Sequence, residues 1–121
     1  MTTQEVANRY IELEKQGRWD LIQEELYSDD IVSIEPDSAA AMGMAKTVKG
    51  IDAVKAKGKA FNEGVEEMHG GYCTEPIVGG NFFSVAMGMD VTMKGAGRMK
   101  MDEICVFEVK DGKIVKEEFF F

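Results

Sequence analysis

Residues 82–121 read FFSVAMGMDVTMKGAGRMKMDEICVFEVKDGKIVKEEFFF, and the parity of their apolar positions decides the fold. Phe83, Val85, Met87, Met89, Val91 and Met93 alternate with mostly small or polar residues. That period of two belongs to a strand with one buried face. Lys94-Gly-Ala-Gly97 then breaks the pattern as a turn, and Met99, Met101, Glu103, Cys105, Phe107 and Val109 repeat it on the matching face of the next strand. Asp111-Gly112 is a tight-turn signal, so residues 113–121 predict a last strand. Upstream, Gly79-Gly80-Asn81 marks another hairpin, and residues 65–78 predict a bent or edge strand, because Gly70-Gly71 and Pro76 interrupt it.

The first half has a different period. Val6, Tyr10 and Leu13 fall on one face of a helix over about residues 3–16, with Thr3 as N-cap and Gly17 past its end. Trp19, Ile22 and Leu26 predict a short second helix, Ser28-Asp29-Asp30 a turn, and Ile31–Ile34 a short strand stopped by Pro36. Residues 37–48 fit no period and read as a loop carrying Met42 and Met44. A third helix is predicted over about 50–63, with Ile51, Val54, Gly58 and Phe61 on its apolar side. Helices followed by an antiparallel meander indicate an α+β fold in a single domain spanning residues 1–121.

Fourteen Lys and Arg against twenty-two Asp and Glu leave a formal charge of −8, with no basic cluster. Such a chain is a poor partner for nucleic-acid phosphates. No apolar run approaches the ~20 residues of a membrane helix, and MTTQEVANRY lacks the basic and apolar stretches of a secretory signal. The expectation is a cytoplasmic protein in which Cys73 and Cys105 are reduced thiols. One His and two distant Cys are too few for a zinc site, and no phosphate-loop, dinucleotide or nucleophile-elbow motif occurs, so neither a metal nor an organic cofactor is expected.

ANRYIELEKQGRWDLI at the start, then YSDDIVSIEP, KGIDAVKA and CVFEVKDGKIVKEEFFF, resemble in order and spacing the SnoaL-like families of the nuclear transport factor 2-like superfamily. The resemblance implies a cone: a curved, mixed but mainly antiparallel sheet wrapped over three N-terminal helices, commonly dimeric, with a pocket at the wide end. Members include isomerases, polyketide cyclases, dehydratases and hydrolases, and also assembly modules without chemistry. In ketosteroid isomerase-like members, a first-helix Tyr and a carboxylate directly before Pro match Tyr10 and Glu35-Pro36. A second carboxyl, shared by the isomerases and the SnoaL cyclases, falls here on Cys105, while Glu103 stands one pleat earlier on the same face.

The candidate site follows from these residues. Alternation points Glu103 toward the apolar side between Met101 and Cys105, which requires a strand bulge, a partner, or solvent in a cavity. Met87, Met89, Met101, Cys105, Phe107 and Phe119 are the expected lining for a small, largely apolar organic ligand. On this reading Glu35 is a base, Tyr10 a donor to a carbonyl or enolate oxygen, and Glu103 a protonated acid or orienter in a cofactor-independent isomerase, cyclase or dehydratase. Each residue also has a structural reading: a core Tyr, a solvated strand-end Glu, a buried apolar Cys. A non-enzymatic ligand-binding or assembly module is therefore the alternative, favoured by Cys105 at the carboxyl position. A Cys105–His69 pair would need the two to meet in space.

Ile104 and Val106 lie on the face opposite Cys105, so that strand is apolar on both sides. A two-residue turn at Asp111-Gly112 pairs odd with even positions in the last hairpin, and a bulged turn pairs odd with odd. The resemblance favours the second, which puts Glu117, Phe119 and Phe121 on the pocket face and Phe120 beside Ile104 and Val106. An outer apolar patch of this kind predicts a homodimer through the outer face of the sheet.

Overall fold

The computed structural model describes residues 1–121. Helix α1 (Thr3–Lys15) is capped one residue earlier than the pattern predicts, at Thr2. The Thr2 hydroxyl accepts from the Glu5 backbone N–H at 3.1 Å, and the Glu5 carboxylate accepts from the Thr2 N–H at 2.9 Å. This reciprocal box satisfies two otherwise orphaned donors, which Thr3 alone could not do. At the other end Gly17 takes a φ of +68°, and the Gly17 and Arg18 N–H groups donate back to the Glu14 and Leu13 carbonyls, each at 3.0 Å. Val6, Tyr10 and Leu13 are buried, as their spacing predicts.

The expected second helix is a single α turn, α2 (Trp19–Leu21), widened into a π turn over Ile22–Leu26 that buries Ile22 and Leu26. Strand β1 (Tyr27–Ile34) absorbs the Ser28-Asp29-Asp30 turn expected from sequence. The local preference survives as an irregularity: the Ser28 Oγ accepts from the Asp30 N–H, and pairing slips between Tyr27 and Val32. The predicted loop at 37–48 contains a short helix, α3 (Asp37–Ala40), and a three-residue strand, β2 (Thr47–Lys49), paired to β1. Helix α4 (Ile51–Gly64) follows, then edge strand β3 (Val65–Cys73), β4 (Ile77–Gly79), and the long β5 (Phe82–Met93), β6 (Gly97–Lys110) and β7 (Lys113–Phe120).

The seven strands form one mixed sheet, with order β2-β1-β7-β6-β5-β3 and β4 beside β5. All pairs are antiparallel except β1 with β7. The helices cover its inner face, where Tyr10, Phe83 and Phe107 form a ring cluster with centroids 4.7–5.7 Å apart. On the outer face the Tyr72 ring lies across Gly88, where an added Cβ would come within 2.4 Å of it, and the Tyr72 hydroxyl donates to Asp102 at 2.8 Å.

The last hairpin combines the two alternatives. Its turn has two residues, with Asp111 at φ +52° and Gly112 at φ +76°, so Lys110 faces Lys113 and Val109 faces Ile114. A bulge then shifts the register before Glu108 meets Lys116, and from there odd faces odd: Phe107 with Glu117, Cys105 with Phe119. The favoured register holds along the strand, but the bulge that produces it sits in the strand and not in the turn.

Candidate functional site

A cavity of about 380 Å³ opens between the inner face of the sheet, α1, the π turn and α4. Its walls are apolar: Met42, Met44, Met87, Met89, Met99 and Met101 line it, together with Trp19, Phe61 and Phe119. Met42 and Met44 come from the segment after α3, so the aperiodic stretch supplies part of the wall. Of the predicted lining, Met87, Met89, Met101 and Phe119 face the cavity. Cys105 and Phe107 lie beneath it, fully buried in the core. A larger, more polar hollow lies between Met1–Thr3 and the β6–β7 turn and gathers no comparable set of groups.

Tyr10, Glu35 and Glu103 all reach the same cavity. Tyr10 is 3% exposed, wedged by its ring against Phe83 and Phe107, and its hydroxyl takes no hydrogen-bond partner. Burial, with Glu14 and Cys105 nearby, holds that hydroxyl well above the ordinary phenol range, so it stays a proton donor. Glu103 makes no ion pair. Burial, reinforced by the charge of Glu35, pushes its carboxyl up to about 7, so it holds its proton about half the time near neutrality. Cys105 is pushed far above the usual thiol range by burial and by Glu103. His69 is bonded to Thr92 at 2.7 Å, and Thr92 belongs to the opposite face of β5 from the residues packed against Cys105, so the two form no nucleophile pair.

Glu35 is not solitary. It is 5% exposed, and Lys57 Nζ on α4 lies 2.5 Å from its Oε1. Lys57 also donates to Ser33 Oγ at 2.6 Å and stands 5.1 Å over the Phe119 ring. Ser33 in turn donates to Glu117 Oε2 at 2.6 Å, and the Tyr27 hydroxyl donates to Glu117 Oε1. Burial raises the Glu117 carboxyl, while the Ser33 and Tyr27 hydrogen bonds and the Lys57 charge oppose that rise. One ammonium thus serves two buried carboxylates, one directly and one through a hydroxyl. The sequence carried a signal for Lys57: with Val54, Gly58 and Phe61 it falls on the inward stripe of α4. Ser33 and Tyr27 carried none, since their roles follow from the parallel pairing of β1 with β7.

The SnoaL-like domain family matches residues 1–121. The chain belongs to the SnoaL-like family. It is 36% identical to a structure from Mesorhizobium loti presented as a candidate SnoaL-like polyketide cyclase [carbohydrate phosphatase]. The match covers 100% of both chains with a TM-score of 0.91. Two further structures share the fold. One is a nuclear transport factor 2-like protein of unknown function from Burkholderia pseudomallei, 20% identical over 98% of this chain and 89% of that one, TM-score 0.78. The other is TerC co-crystallised with polyporic acid, 20% identical over 96% and 91%, TM-score 0.75. No protein of curated function matches the chain. As in these relatives, the SnoaL-like chain is an α+β cone, and none of its helices is long and apolar enough to cross a membrane.

Proposed function

We propose that this SnoaL-like protein binds a small, largely apolar organic molecule and moves a proton on it without a cofactor. The observation that carries the reading is the meeting of Tyr10, Glu35 and Glu103 in one methionine-walled cavity. Glu35 is held in an ion pair by Lys57 while Glu103 has no such partner, so we assign to Glu103 the proton-carrying role expected of Glu35. With a carbonyl compound bound, the Glu103 carboxylate takes a proton from the carbon beside the carbonyl. The electron pair of that C–H bond forms a carbon–carbon double bond as the carbonyl π pair moves onto its oxygen, which accepts a hydrogen bond from Tyr10. The Glu103 carboxylic acid then returns the proton to a different carbon, completing an isomerisation. In a ring closure the enolate carbon instead bonds to a second carbonyl carbon, whose π pair moves onto its oxygen and takes the Glu103 proton. Support comes from the candidate polyketide cyclase at 36% identity and from the binding of polyporic acid by a protein of the same fold.

Two measurements test this. Mass spectrometry of material extracted from the purified protein should reveal a bound apolar molecule. In D₂O, the protein should accelerate exchange of the protons beside the carbonyl in bicyclic enolisable ketones, and Glu103→Gln should lower that rate by about 10²-fold or more. Binding without exchange across the panel would leave a ligand-binding module and remove the chemistry.

We also propose that the outer face forms a homodimer. Ile104 and Phe120 are 48% and 47% exposed on adjacent strands, with Val106 alongside, and a second copy offers the same patch. Sedimentation at micromolar concentration should report twice the chain mass. Val106→Glu should split the dimer while leaving ligand binding intact, and a dimer unaffected by it would exclude this face.

A further inference from the structure

The polar groups of the cavity are unevenly spent. Lys57 gives its charge to Glu35, Ser33 and the Phe119 ring. The Ser33 and Tyr27 hydroxyls are both committed to Glu117, whose two oxygens they occupy. The donors left are neutral: the Tyr10 hydroxyl on the floor, the half-buried Gln23 amide, and the exposed Asn62 amide and Trp19 indole. The acceptors left are carboxylate oxygens: Glu103, which takes only a weak thiol hydrogen bond from Cys105, and the second oxygen of Glu35. The charge points the same way. Three carboxyls, Glu35, Glu103 and Glu117, face one lysine, and the remaining charged lining residues, Lys100 and Asp102, are exposed and opposite in sign.

We infer that the ligand carries, besides the carbonyl that meets Tyr10, a hydrogen-bond donor, a hydroxyl or a protonated amine on an apolar skeleton, and that carboxylates are turned away. An ammonium or hydroxyl meets Glu103 and the free Glu35 oxygen directly. A carboxylate meets the same two acceptors with no ammonium free to neutralise it, and a buried unpaired charge is costly. The aromatic and methionine walls suit the apolar remainder of either donor ligand. The inference rests on the pocket reading above and adds the sign of the ligand's polar group.

Three probes on one skeleton test it: 2-naphthylmethylamine, 2-naphthylmethanol and 2-naphthoate, titrated calorimetrically near pH 8, where Glu103 is mostly ionised. The amine and the alcohol should each bind at least about tenfold tighter than the carboxylate. In Glu103→Gln, which replaces an anionic acceptor by a neutral amide, the gap between amine and carboxylate should shrink to about threefold or less. Naphthoate binding as tightly as the amine would overturn the inference and leave the pocket reading standing. So would a ranking that Glu103→Gln leaves unchanged. Failure of all three probes to bind would remove the pocket reading and this inference with it.

Discussion

In Lys57→Met, the midpoint of urea unfolding at neutral pH should fall by the equivalent of about 3 kcal/mol, the cost of removing one partner from a buried ion pair. Glu35 and Glu117 are each 5% exposed, and Lys57 is the cation that answers both, directly at 2.5 Å and through Ser33 at 2.6 Å. Methionine keeps most of the stem volume, so the loss reports charge and not a cavity. The deficit should narrow as the pH is lowered, because burial raises the Glu117 carboxyl and a protonated carboxyl needs no counter-ion. Adding Glu35→Gln should recover about half of it, since one of the two stranded charges is then gone. A loss below about 1 kcal/mol would mean that water, not Lys57, answers the two carboxylates.

Glu103→Gln should do the reverse at pH 8 and stabilise the fold. Burial raises the Glu103 carboxyl from 4.5 to about 7. A carboxyl raised on folding contributes stability that is complete below pH 4.5 and is lost as the pH rises through 7. That loss is on the order of 2–3 kcal/mol, given about 1.4 kcal/mol per pKa unit and some relief from water at the cavity mouth. The groups facing Glu103 are Glu35 just past the end of β1, Glu117 on β7, Lys57 on α4 and Cys105 on its own strand. Of these, Glu117 is also raised, as is Glu14 on α1, so the wild-type slope has several sources. The difference between wild type and variant isolates Glu103. Urea unfolding at pH 5 and pH 8 should show the two proteins converging at the lower pH and the variant ahead at the higher. Parallel pH profiles would place Glu103 in water.

The legibility of the site varied with the range of the forces that build it. Glu103 was readable because a strand's side chains alternate, so its neighbours Met101 and Cys105 declare its face without reference to any partner. Glu117 was readable only once a register had been chosen, and the register turned on a bulge between Glu108 and Val109 on one strand and Ile114 and Lys116 on the other. Lys57 was overlooked because a lysine on an apolar stripe reads as a side chain reaching past the core to water. Here its reach ends at Glu35, a carboxylate twenty-two residues away in sequence. Ser28-Asp29-Asp30 misled in the opposite direction: its turn preference is real, but pairing of β1 with β7 outweighs it and leaves only the slip between Tyr27 and Val32.

Alone, the sequence determined the α+β class, the long β5–β6 hairpin, which side chains of β5 and β6 face inward, and the placement of Tyr10 and Glu103 on that side. Each of these follows from a local period or a turn residue, whose energy is settled within a few neighbours along the chain. Only the tertiary structure decided that Met42 and Met44 close the cavity, that Cys105 and Phe107 sit beneath it, and that Lys57 ties Glu35 to Ser33 and Glu117. Those outcomes depend on α4 docking over β1 and on β1 pairing in parallel with β7, contacts between segments that no periodicity connects. A buried charge is stable only where its partner arrives, and that arrival is a property of the packed sheet and helix together.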